Sequence, residues 1–136
     1  MKLSPNELSG EWKLINSVLR DRSGHALSKD PFEGASATIV YGINPNTIAV
    51  QAQTADGSYY AYSGQYTLKE NVIIHHIDQA THEAYIGQDL QRSIKFDPAA
   101  GKDSADKLIL ISYEPENVLG DGQLLFHEAS WIKQFE

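Results

Sequence analysis

This chain of 136 residues has no cysteine, which removes disulfides, thiolate metal sites and cysteine nucleophiles together. Only His, Asp and Glu are left to hold a metal. Basic residues are scarce as well: 11 Lys and Arg stand against 18 Asp and Glu, a formal net charge of −7. With no Lys/Arg cluster to offset that charge, neither a nucleic acid nor a membrane surface is expected as a partner. No run approaches the ~18 apolar residues of a membrane helix, and the start, Met1-Lys2-Leu3-Ser4-Pro5-Asn6, lacks the apolar core of a signal peptide. A cytoplasmic location is the expectation. Helical periodicity is missing too, since no stretch carries it over three turns.

What is present is alternation. A hydrophobic content of 41% with 10% aromatics suits one compact domain over residues 1–136. Ser4-Pro5-Asn6-Glu7-Leu8 can form one capped helical turn, with Ser4 as cap, Pro5 first and Glu7 third. After Gly10, Trp12, Leu14, Asn16 and Val18 alternate with Lys13, Ile15, Ser17 and Leu19, which predicts a strand from Glu11 to Arg20. Further strands are expected over Ala35–Tyr41, Thr47–Thr54, Tyr59–Lys69, Val72–Gln79, Gln88–Phe96, Lys107–Tyr113 and Gln123–Lys133, separated by polar turns such as Asn44-Pro45-Asn46 and Asp56-Gly57. Gly64 interrupts its strand where a barrel would bend or bulge. Eight antiparallel strands in sequence make an all-β, up-and-down barrel the leading architecture, with a sandwich as the alternative. Eight is also the number at which a closed barrel just holds one small ligand.

The chain is organised around Tyr62 to Phe96. Within it, Val72-Ile73-Ile74-His75-His76-Ile77 carries two adjacent histidines, which a strand directs to opposite faces. Period two then puts Arg92 on the face of Leu90, Ile94 and Phe96, so a guanidinium is expected on a dry face, where it must meet acceptors or a ligand. His75 or His76 joins it according to register. If paired positions in this hairpin add to an even number, His76 shares the Arg92 face; if odd, His75 takes that place.

Leu8-x-Gly10-x-Trp12-x-Leu14, Tyr62-Ser63-Gly64-Gln65-Tyr66, the His75-His76 pair and the spacing from Gly87 to Arg92 together resemble the bacterial lipocalin-like domain family, from about Leu8 to Lys133. The resemblance implies an eight-stranded barrel with an internal pocket, and either a carrier or a cofactor-free enzyme. Two positions depart from its pattern. Asn16 stands where serine is expected, and Lys133 replaces an arginine, keeping the charge but losing the planar fork that covers a tryptophan face.

The chemistry these residues allow is narrow. Diverging imidazoles leave His76 with Asp78 on one face, which does not close a zinc site without a third ligand such as His127 or Glu128. No metal and no cofactor are therefore expected, a haem iron on one axial histidine being the minor alternative. One inward histidine beside Arg92, with Tyr66 donating a hydrogen bond, would suit an isomerase, cyclase or dehydratase. The candidate catalytic residues are thus His76, His75, Arg92 and Tyr66. The leading expectation is binding of a small, largely apolar organic molecule in the barrel, with Arg92, Tyr66, Tyr41, Tyr62, Trp12, Glu128 and Trp131 as ligand contacts. A barrel filled by its own side chains is the third alternative, and a homodimer is compatible with all three.

Overall fold

Short runs with one dry face, separated by polar turns, can bury that face by pairing side by side and curling around it. In the computed structural model, which describes residues 3–27, 34–99, 105–112 and 122–134, a helical turn α1 (Pro5–Leu8) precedes eight strands. These are β1 (Gly10–Arg20), β2 (Ser36–Tyr41), β3 (Thr47–Gln53), β4 (Tyr59–Lys69), β5 (Val72–Ala80), β6 (Asp89–Asp97), β7 (Lys107–Ser112) and β8 (Phe126–Lys133). Each is antiparallel to the next, and β8 pairs back onto β1, closing the barrel. The expected all-β up-and-down barrel is what forms, and the sandwich is not. Strand bounds agree closely with the alternation, except that β8 begins later than expected, at Phe126. Tyr113 and the connection over 114–121 lie outside the described residues.

One end of the barrel is plugged. The Ser4 N–H and hydroxyl donate to Glu7 Oε1 at 3.1 and 3.2 Å, fixing α1 so that Leu3 and Leu8 pack into the core with Trp12. The indole of Trp12 donates to the Leu8 carbonyl at 2.8 Å. Lys133 Nζ sits 5.5 Å from the centre of the Trp12 ring and donates to the Glu7 carbonyl at 3.3 Å. The lysine therefore still covers the tryptophan, through a cation over the ring rather than a stacked plane. Phe96 meets Trp12 edge-on at 6.5 Å, and Ile73 and Leu108 are fully buried beside them.

Two irregularities set which side chains face in. The β4–β5 register shifts between Ser63 and Gly64, and a Cβ on Gly64 would overlap the His76 carbonyl. Only glycine lets the two backbones approach that closely. On β1 the register against β8 shifts between Leu14 and Asn16. This bulge corrects the simple alternation read from the sequence: Asn16 is exposed, while Ser17 and Leu19 turn inward after Trp12 and Leu14. One extra residue inverts the inside and outside of everything after it.

Candidate functional site

Away from the plugged end, small inward residues leave space that larger ones would fill. Ala37, Ala52 and Ala129, with Ile39, Val50, Leu90, Leu110 and Trp131, wall a cavity of about 430 Å³ that reaches the β3–β4 and β5–β6 connections. The size falls in the range of small-molecule sites. Trp131 is buried in this wall, and its Nε1 has no acceptor among the described residues. A second hollow of about 680 Å³ lies against Leu3, Glu7, Glu70 and Phe96 at the plugged end. It shares no lining residue with the first cavity, and none of His75, Arg92 and Tyr62 lines it.

The polar part of the cavity is built on the β5–β6 hairpin. His75 lies opposite Leu90, and Ile73 opposite Arg92, so paired positions add to an odd number and His75 is the inward histidine. It is only 1% exposed. Tyr41 Oη lies 2.9 Å from its Nε2, and Tyr62 Oη lies 2.9 Å from its Nδ1. Burial first, and the Arg92 guanidinium second, hold the imidazole far below its ordinary value, at about 3. His75 is thus neutral near pH 7, with one nitrogen donating and the other accepting. Burial likewise pushes the Tyr41 phenol well above its usual range, reinforced by Tyr62 and Tyr66, so Tyr41 stays protonated.

Arg92 continues this polar zone around the wall. Its partner across β6 and β7 is Ser112, whose hydroxyl accepts the His127 N–H at 3.1 Å. His127 Nε2 in turn lies 2.7 Å from Ser17 Oγ, which the β1 bulge has turned inward. Arg92, Ser112 and His127 all line the cavity, and no carboxylate does so among the described residues. Near the β5–β6 connection the His82 ring stacks on Tyr60 at 4.7 Å and 17°.

The structure therefore brings His75, Arg92, Tyr62 and Trp131 to one cavity and sets Tyr41 behind His75. The other candidates lie elsewhere. His76 points outward, where its Nε2 and Nδ1 are each 2.8 Å from Thr67 Oγ1 and Asp89 Oδ1; its neighbouring carboxylate is Asp89, across the hairpin, rather than Asp78. Tyr66 packs edge-on against Tyr41 at 5.2 Å and donates to the Gly42 carbonyl at 3.1 Å, which holds it in the plugged end with Trp12. Glu128 is on the outer face of β8, 3.6 Å from Arg20, because alternation there turns His127, Ala129 and Trp131 inward.

Sequence reasoning weighed His127 and His82 only as possible metal ligands and overlooked Ser17 and Ser112. The alternation of Leu108, Leu110 and Ser112 already places that serine on the inner face; Ser17 needed the bulge. Among the described residues no three His, Asp or Glu side chains gather to hold a metal, and no helix is long and apolar enough to cross a membrane. Comparison with protein-family models, curated proteins and solved structures finds no match. The resemblance to lipocalin-like domains thus stands on the barrel, with which it is compatible, and on the motif residues.

Proposed function

We propose that the barrel binds a small organic molecule of mixed character, its apolar body against the alanines, Val50, Leu110 and Trp131 and its polar end toward Tyr62 and Arg92. The observation that carries this reading is a cavity of about 430 Å³ with both apolar and polar walls, at which a neutral, fully buried His75 is braced by two tyrosines. With both ring nitrogens bonded, the His75 network is rigid and holds Tyr62 at a fixed place on the cavity wall. The cofactor-free isomerase or cyclase alternative gains less support, because an imidazole held at about 3 is a poor base near neutral pH.

The test is saturable binding of an apolar probe. 2-Ethylnaphthalene, followed by calorimetry, is expected to bind one to one, and Ala52→Phe, which fills the cavity, to abolish binding while the barrel's circular dichroism is retained. Undiminished binding to that variant, or no saturable binding of any aromatic or aliphatic probe to the parent protein, would defeat the proposal.

A further inference from the structure

Trp131 carries the odd polar atom of this barrel. The residue is only 6% exposed, and its Nε1 is the one enclosed side-chain polar atom without a hydrogen-bond partner among the described residues. Its neighbours in the sheet have nothing to offer it. Trp131 pairs with Leu14 of β1 and Leu108 of β7, and the inward residue before it on β8 is Ala129; none of the three has a side-chain acceptor. The other tryptophan shows what such a donor ordinarily receives, since Trp12 Nε1 lies 2.8 Å from the Leu8 carbonyl. A donor sealed from water and left unpaired is costly, and a folded chain keeps few of them. This one stands in the wall of the cavity.

Its depth matters as well. Leu108, the partner of Trp131, is four positions along β7 from Ser112, the partner of Arg92, and belongs with Trp12 to the core of the plugged end. The cavity thus has polar groups at the level of Arg92 and Ser112 and, deeper, an indole N–H. We infer that Trp131 Nε1 donates to the bound molecule, so that the ligand carries a hydrogen-bond acceptor, such as a ketone or ether oxygen, on the part that reaches toward the plugged end. This rests on the barrel being a binding protein and names a feature of the molecule it takes. An indole nitrogen donates and cannot accept, so a bare hydrocarbon at that point leaves the donor as it was. Nε1 is enclosed by the wall, and a small turn of the ring toward the hollow brings it to the acceptor.

Two measurements test this separately from the binding reading. In the ligand-free protein, ultraviolet resonance Raman spectra, whose indole N–H band reports hydrogen bonding, are expected to show one bonded and one unbonded tryptophan. Two bonded rings would overturn the inference whatever binds. For ligand choice, 2-acetonaphthone and 2-ethylnaphthalene share a shape, and only the first offers a carbonyl without adding charge. By calorimetry the ketone is expected to bind roughly tenfold more tightly. Adding it should convert the unbonded ring to a bonded one, which the hydrocarbon should not do, and Trp131→Phe should bring the two affinities together. The Raman change needs no substitution and decides the matter even if that variant does not fold. Equal affinities in the parent protein, a preference that survives Trp131→Phe, or a ring still unbonded with the ketone in place would overturn the inference and leave the binding reading standing. Saturable binding of neither probe nor any other would defeat the binding reading, and the inference with it.

Discussion

At the scale of single residues, His75 is the costly choice. Taken out of water near a guanidinium, it keeps its place only as a neutral ring with both nitrogens bonded. This makes stability depend on pH with a definite sign. An unfolded chain protonates this histidine near its ordinary value of about 6.5, whereas the folded protein resists until about 3. Between those values the unfolded state binds the extra proton, so the contribution is fully present above pH 6.5 and is lost progressively as pH falls toward 3. About 3 kcal/mol should disappear between pH 7 and pH 4 through this group. Urea unfolding across that interval should therefore show a shallower loss in His75→Gln than in the parent protein; identical slopes would contradict the buried neutral state. The sequence made an inward imidazole beside Arg92 legible. Which of His75 and His76 it was could not be read, because either parity suits the loop from Ala80 to Ile86, and a shift of one residue exchanges the two faces.

At the scale of elements, turns and alternation were enough to locate the strands, since polar clusters such as Asp56-Gly57 can only interrupt a half-buried strand. Bulges were legible where a glycine marks them and hidden where none does. Gly64 announces its bulge because no side chain fits against the His76 carbonyl. The β1 bulge has no such marker, so Ser17 and its partner His127 were missed as part of the inner wall. The same close approach yields a prediction: Gly64→Ala must push β4 from β5, and it is expected to cost about 2 kcal/mol or more in unfolding free energy. An unchanged denaturation midpoint would show that the two strands do not meet as described.

At the scale of the whole molecule, the barrel is uneven by construction. One end is filled by α1, Trp12, Tyr66 and Phe96, with Lys133 over the indole; the other keeps a hollow because alanines face in at the level of His75 and Arg92. The number of strands allowed either a filled or a hollow interior, and the difference lies in which small residues meet at one height, a property of register rather than of composition. The two tryptophans divide along the same line. Trp12 is bonded to Leu8 in the plug, whereas Trp131 forms part of the cavity wall. Titrating the ¹⁵N-labelled protein with 2-acetonaphthone and following both indole N–H signals therefore separates binding in the open half from binding elsewhere. The Trp131 signal is expected to shift and saturate at one equivalent while the Trp12 signal stays in place. A Trp131 signal that does not move, or equal movement of both, would contradict a ligand site inside the open half of this barrel.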